Sequence, residues 1–219
     1  MPRKRVRALI FGPQGSGKST QGRLVADWFD IPWISSGDLF RQEIEERSAL
    51  GKLAEEYVAH GMLAPDEVVQ AIMKKRLAGL DTEKGFVLDG YPRNVEQAES
   101  MDRFLRINIA IQIKISDEEA VRRLSKRLYC PACHGVFHTE EAPPALPGIC
   151  SLCQGPLRRR EDDAEEIVRS RLMAYHFMTE PMASHYRQRG SLLSLNGEQP
   201  IPSLFQEVIR KMTKLGFVA

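Results

Sequence analysis

Gly12-Pro13-Gln14-Gly15-Ser16-Gly17-Lys18-Ser19 fits the pattern G-x-x-x-x-G-K-[S/T] in full. The run before it, Arg5 to Phe11, reads as a short buried strand. Ser19 to Phe29 reads as a helix, with Leu24, Val25 and Trp28 at helical spacing. Strand, glycine-rich turn and helix in that order form the context in which this pattern cradles phosphate. The glycines let backbone N–H groups converge on phosphate oxygens, the helix N-terminus adds positive dipole, and Lys18 supplies a mobile cation. The loop indicates a P-loop NTPase or kinase and does not say which.

Outward from the loop, Ser36 to Arg47, Leu50 to His60 and Asp66 to Ala78 read as three short helices. Gly61 suits a helix C-terminus and Pro65 the start of the next helix. Phe86 to Leu88 is a compact strand ending in Asp89-Gly90. Asn94 to Leu105 is helical, Ile109 to Ile115 is an apolar strand, and Asp117 caps a basic amphipathic helix to about Arg127. From about Asp163 a long helical pattern runs to about Arg189, with Pro181 as a kink or break. Leu192 to Leu195 is a last strand and Ser203 to Lys214 a last helix. Strands alternating with helices predict an α/β protein whose parallel sheet is covered on both faces.

Composition narrows the function. The 219 residues are 42% hydrophobic and 27% charged, and 31 basic against 29 acidic residues leave a net charge of +2. That balance argues against disorder and against general nucleic-acid binding. The apolar runs are too short to cross a membrane. Arg3-Lys4-Arg5 resembles a signal n-region, but the apolar stretch behind it is short and no small-residue cleavage site follows. The expectation is a cytoplasmic protein.

All four cysteines fall between positions 130 and 153, in a stretch, residues 129–156, without helical period. Cys130-Pro-Ala-Cys133 and Cys150-Ser-Leu-Cys153 are two C-x-x-C knuckles at zinc-ribbon spacing. Four thiolates close a tetrahedral Zn²⁺ shell and leave no position for a substrate water, so the metal would be structural. A unit this small builds no adequate core, and ligation would supply its order, on the order of 10 kcal/mol or more. A redox C-x-x-C, unliganded thiols, and His134 or His138 in place of a cysteine are the alternatives.

Two further segments complete the reading. Ser35-Ser36-Gly37-Asp38-Leu39-Phe40-Arg41 follows the first strand–helix unit, and Asp89-Gly90-Tyr91-Pro92-Arg93-Asn94-Val95-Glu96-Gln97 follows the strand at Phe86. With the glycine loop and with Arg160-Glu161-Asp162-Asp163, the chain resembles the adenylate kinases. That family carries G-x-P-G-x-G-K-G-T, T/S-G-D-x-x-R, D-G-F/Y-P-R-x-x-x-Q and R-x-D-D in the same order. The resemblance spans nearly the whole length and is to the long form with a metal-bearing lid.

The resemblance implies a P-loop kinase fold with a five-stranded parallel sheet flanked by helices, an inserted AMP-binding domain and a zinc-ribbon lid. Residues 1–34, 65–126 and 164–219 would form the core, 35–64 the AMP-binding domain and 127–163 the lid. The reaction would be Mg·ATP + AMP ⇌ 2 ADP, catalysed by a monomer with no nucleic-acid or membrane partner. Gly15, Ser16, Gly17, Lys18, Ser19, Thr20, Arg123, Arg127 and Gln199 would bind ATP. Ser36, Arg41, Arg93, Gln97, Arg160 and Arg171 would bind AMP, with Gln97 reading the adenine. Lys18, Arg93, Arg127, Arg160 and Arg171 would surround the transferring phosphoryl. Asp89 would hold Mg²⁺ through water, Asp162 and Asp163 would position lid arginines, and Cys130, Cys133, Cys150 and Cys153 would hold one Zn²⁺.

The residues agree with that chemistry. Phosphoryl transfer needs positioning and charge neutralisation. A phosphate acceptor is already an anionic nucleophile, and the scattered His60, His134, His138, His176 and His185 offer no obvious base. Arg158 and Arg159 read as lid-surface charges. Ser19, Met62, Lys126, Leu128 and Asn196 depart from the common family pattern; Ser19 restores the hydroxyl that P-loop proteins place on Mg²⁺. A kinase for another nucleoside monophosphate and a zinc-ribbon ATPase acting as an interaction switch are the rival functions.

Overall fold

The computed structural model describes residues 4–59, 64–79, 84–103, 105–133, 135–140 and 143–218. The glycine loop joins β1 (Arg7–Phe11) to α1 (Lys18–Phe29). Then come β2 (Trp33–Ser35), α2 (Ser36–Glu45), α3 (Ala49–Ala59), α4 (Asp66–Ala78), β3 (Phe86–Asp89), α5 (Val95–Asp102), β4 (Ile109–Lys114) and α6 (Asp117–Ser125). β5 (Arg127–Tyr129) pairs antiparallel with β6 (Val136–His138). A single 3-10 turn at Glu161–Asp163 precedes α7 (Glu165–Ala174), α8 (Met182–Gln188), β7 (Leu192–Asn196) and α9 (Ile201–Lys214).

Five strands form one parallel sheet in the order β2-β3-β1-β4-β7. The two-residue period of β1 divides the core. Leu9 and Phe11 join Leu88, Met101 and Tyr186 on the face covered by α2, α4, α5 and α8. Ala8 and Ile10 join Val25, Ile111, Val208 and Met212 on the face covered by α1 and α9. A third, smaller cluster of Ala120, Leu124, Val168 and Leu172 packs α6 against α7, the two stems that flank the cysteine-bearing segment. Because all five strands are parallel and β1 is central, every loop leaving a strand's C-terminal end emerges at one edge of the sheet. At that edge the connections from β1 and β3 run in opposite directions, which is where open α/β sheets bind ligands.

Several boundaries differ from the sequence reading, each for a local reason. β2 carries no four-residue apolar run, only Trp33-Ile34-Ser35, and is a strand because it pairs with Val87, Leu88 and Asp89 of β3. Ser116, not Asp117, caps α6: its hydroxyl accepts from the Glu119 N–H. That helix ends at Ser125, so Arg127 stands on β5. The long pattern after Asp163 breaks before Pro181. α7 ends at Ala174, Tyr175–Thr179 winds as a π-helical turn, and Pro181 caps α8. α9 begins at Ile201, with Pro202 tolerated in its first turn, where its missing N–H is not needed. His60, Gly61, Met62 and His134 lie outside the described residues. No helix among the described residues is long and apolar enough to cross a membrane.

Candidate functional site

At the sheet edge the glycine loop closes on α1 through Gly17, whose φ of 81° lies in the left-handed region and suits glycine. The Lys18 Nζ donates to Pro13 O across the loop, 3.2 Å. The Ser19 hydroxyl bonds the carboxylate of Asp89, which ends β3 and is 3% exposed. In register, Asp89 sits between Ile10 of β1 and Ser35 of β2. Burial pushes the Asp89 carboxyl up, and Lys18 opposes that shift. Lys18 itself is pulled down to about 8 by burial, against the attraction of Asp89, with Arg171, Arg93 and Arg127 lowering it further. Arg171, Arg93 and Arg127 therefore lie near enough to Lys18 to oppose its charge.

On the β2–β3 side, Ser35 caps α2 through the Asp38 N–H, 3.2 Å. Ser36 follows it, 1% exposed. Arg41 is held by Asp38 one turn earlier in α2. Gly90, at φ 78°, brings the backbone against this corner: a Cβ there would fall 2.7 Å from Ser36 Oγ and 3.6 Å from Arg93 Nη2. Arg93 Nε donates to Gly90 O at 2.7 Å, and burial lowers the Arg93 guanidinium to about 10. The backbone of Arg93 is fixed from both ends, its N–H by Gln97 Oε1 at 2.8 Å and its carbonyl by the Thr179 hydroxyl at 2.7 Å.

β5, the turn before α7 and α7 itself supply the remaining charges. Asp163 binds Arg127 bidentately, at 2.8 Å to Nε and 2.5 Å to Nη2. Asp162 accepts from Arg171 Nη1 at 2.6 Å. Burial raises the Asp162 carboxyl, but Arg171, Arg127 and Arg160 outweigh it and hold the group below its ordinary value. Arg160 stacks 4.4 Å from the Tyr129 ring centroid and is lowered to about 10 by burial, with Arg127 and Arg41 adding to the effect. Arg158 and Arg159 are exposed. Among the residues of these motifs, Ser16 Oγ, Ser36 Oγ, Arg41 Nε and Arg160 Nε are buried with no hydrogen-bond partner. Donors left this way, among six cations (Lys18, Arg41, Arg93, Arg127, Arg160 and Arg171), suit a polyanion.

Four further predicted residues stand beside or behind these groups. Arg123 braces the back of the loop, donating to Gly15 O at 3.3 Å and Gly197 O at 3.0 Å, with Glu119 fixing its Nε. Gln199 donates to Asn196 O and to Glu207 Oε2 at the start of α9. Gln97, 3% exposed, sits in the first turn of α5 under its Asn94 cap. Thr20 follows Ser19 in the first turn of α1. Of the departures from the family pattern, Lys126 pairs with Glu140 and Leu128 lies opposite Phe137 in the ribbon. Asn196 Oδ1 accepts from the Glu198 N–H. His176 bridges Asp117 and Glu180 on the surface at 2.9 and 2.8 Å.

At the far end of the β5–β6 ribbon the four cysteine Sγ atoms all lie within 4.8 Å of one another, with Cys130–Cys153 and Cys133–Cys150 at 3.5 Å. Tetrahedral Zn–S bonds of about 2.3 Å put sulfurs about 3.8 Å apart, so the set fits one such ion. The knuckles are built alike: Cys130 N–H donates to Gly135 O and Cys150 N–H to Gly155 O, at 2.9 and 2.8 Å. Backbone N–H groups directed at sulfur, above all that of Cys133, pull the Cys130 thiol down to about 7. The four cysteines form no disulfide. Asp89 with Ser19 offers an all-oxygen corner of the kind Mg²⁺ takes beside substrate phosphates.

Asp66 and Thr179 escaped the sequence reading. Asp66 reads as an ordinary acidic first-turn residue, and Thr179 carries no signal within a helical pattern.

The adenylate kinase family model matches residues 10–191. An adenylate kinase of Thermoanaerobacter sp. strain X514 is 39% identical over 216 residues, covering 96% of this chain and 100% of that protein. That of Caldanaerobacter subterraneus subsp. tengcongensis is 40% identical over 93% of this chain and 94% of its own length. That of Acidothermus cellulolyticus is 42% identical over 90% and 93%.

Proposed function

We propose a division of labour among these residues on one premise: the chain belongs to the adenylate kinase family and is a phosphotransferase acting on nucleoside monophosphates. The donor is Mg·ATP, the acceptor AMP, and the products two ADP. The observation that carries this reading is that Lys18 feels the charges of Asp89, Arg93, Arg127 and Arg171 together.

The backbone of Gly15 to Lys18 and the hydroxyls of Ser19 and Thr20 bind the ATP phosphates, with Lys18 at the transferring group. Arg123 and Gln199 serve the ATP side through the loops they brace. Ser36, Arg41 and Arg93 hold the AMP phosphate, and Gln97 meets the base. Arg127, Arg160 and Arg171 neutralise charge on the phosphoryl in flight, held in place by Asp163, Tyr129 and Asp162. Their fixed geometry is what makes them effective, because a preorganised cation costs no rearrangement as charge develops. Asp89 and Ser19 would hold Mg²⁺, which would supply charge neutralisation to the phosphates. The four cysteines would hold a structural Zn²⁺ that orders the lid. The core comprises residues 1–34, 65–126 and 164–219, the AMP-binding unit 35–64 and the lid 127–163. Closing the lid excludes water, which would otherwise compete with AMP as acceptor. Four reduced thiols fit a cytoplasmic protein.

A coupled assay of ADP formation with AMP, CMP, UMP and GMP tests the reading. Rapid ADP formation is expected only with AMP. Equal rates with and without AMP refute a kinase acting on it, and a preference for CMP or UMP moves the chain to another acceptor class. Size-exclusion chromatography with light scattering tests the monomer.

A further inference from the structure

The Gln97 carboxamide is held by two partners of opposite character. Its Oε1 accepts from the Arg93 N–H at 2.8 Å, and its Nε2 donates to Asp66 Oδ1 at 2.6 Å. Only one orientation of an amide satisfies both. Rotating it by half a turn sets NH₂ against the Arg93 N–H and the carbonyl against the Asp66 carboxylate, two repulsive contacts at a side chain that is 3% exposed. In the satisfied orientation, one lone pair on Oε1 and one N–H on Nε2 remain for a ligand.

We propose that Asp66 is a specificity-determining residue: by locking the Gln97 carboxamide, it selects a base that presents an amino donor beside a ring-nitrogen acceptor, a 6-aminopurine, over one that presents an oxo acceptor beside a ring N–H, a 6-oxopurine. Adenine offers N6–H₂ and N1. Hypoxanthine has nearly the same size and shape but offers O6 and N1–H, the reverse pattern. A purine with the reverse pattern is accepted only when the amide turns over, and both Arg93 and Asp66 oppose that. Removing Asp66 removes one of the two restraints. The proposal rests on the reading that Gln97 meets the base. Asp66 touches neither substrate phosphate nor reacting atoms; it acts through Gln97.

The test compares AMP with inosine monophosphate as acceptor, by kcat/KM and by equilibrium binding, in the wild type, Asp66→Asn and Asp66→Ala. One buried restraint lost is expected to lower the AMP-over-inosine-monophosphate ratio about tenfold. The change should fall in acceptor KM, with the KM for ATP unmoved. A merely structural role for Asp66 at the start of α4 would reduce use of both acceptors in parallel and leave the ratio intact; that outcome overturns the proposal. Asp66→Asn preserves shape, so a poorly folded Asp66→Ala still leaves the ratio measurable. Gln97→Ala is the control for the underlying reading. If it leaves AMP KM unchanged, Gln97 does not meet the base and that reading falls. If Gln97→Ala raises AMP KM while both Asp66 variants keep the wild-type ratio, only the proposal for Asp66 falls.

Discussion

The Thr179 hydroxyl donates a 2.7 Å hydrogen bond to the carbonyl oxygen of Arg93. Thr179 closes the π-helical turn between α7, which carries Arg171, and α8. The bond therefore ties the turn that follows the helix of Arg171 to the backbone of Arg93. Thr179→Val keeps shape and burial but leaves the Arg93 carbonyl without this donor, a loss of about 1 kcal/mol or somewhat more. KM for AMP should rise several-fold with KM for ATP nearly constant, and Thr179→Ser should restore it. Steady-state kinetics with each nucleotide varied in turn check this. Equal changes in both KM values would mark Thr179 as a packing residue.

Lys18 gives a pH prediction. Its ammonium titrates near 8 in the folded, ligand-free protein because burial and the neighbouring arginines disfavour the charge, against 10.5 for an unperturbed lysine. Below about 8 the group is charged in both folded and unfolded chains. Between about 8 and 10.5 the unfolded chain holds the proton that the folded chain has released, so the stability contributed by this group rises with pH across that window. ATP phosphates reverse the imbalance. Binding at pH 8.5 to 9 should draw a proton onto Lys18, visible by calorimetry as buffer-dependent heat, and KM for ATP should rise above about pH 8. Lys18→Met should abolish the uptake and reduce turnover by orders of magnitude with the fold intact.

The contiguous motifs are legible in the sequence, and parts of the scaffold are not. The glycine loop and Asp-Gly-Tyr-Pro-Arg are contiguous motifs that follow β1 and β3, and they meet at one sheet edge because those strands are parallel; Arg-Glu-Asp-Asp, also contiguous, stands before α7 and pairs with Arg127 and Arg171. β2 was illegible because its three residues become a strand only through pairing with β3. The π turn was illegible because Tyr175–Thr179 has a helical pattern of apolar positions. Its extra residue per turn answers to tertiary partners, Tyr175 toward Gln112 and Thr179 toward Arg93. The Asp66–Gln97 pair, 31 residues apart, has no local signature.

Asp163 is 5% exposed in its side chain and Arg127 is 18% exposed, and both guanidinium bonds of the pair are made. Breaking a buried pair by neutralising one member leaves the other charge uncompensated, at about 3–5 kcal/mol. Asp163→Asn keeps the shape and should lower the melting temperature by several degrees. If Arg127 acts on the phosphoryl group in flight, kcat should fall by about tenfold or more with a smaller change in either KM. Thermal melting with full kinetics checks both halves. A lower melting temperature with unchanged kcat would confine the pair to lid stability.

The cysteine cluster gives the last prediction. Cys130 and Cys150 are fully buried, Cys153 is exposed, and the sulfurs sit at separations that fit one tetrahedral ion. The cluster lies beyond the β5–β6 ribbon, whose stem carries Arg127, so the ion would act on the lid's order and only through it on Arg127 and Arg160. Elemental analysis should find one zinc per chain, with all four thiols slow to react until a chelator is added. Removing the metal should lower the melting temperature and reduce activity partly, because a segment this small has little apolar core of its own to hold its shape. Cys150→Ser should reproduce the metal-free behaviour, since three thiolates and a hydroxyl bind zinc far less well than four thiolates. Four freely reactive thiols with unchanged melting would overturn the structural metal. Immediate and complete loss of activity on chelation, with melting unaffected, would instead assign the ion to catalysis.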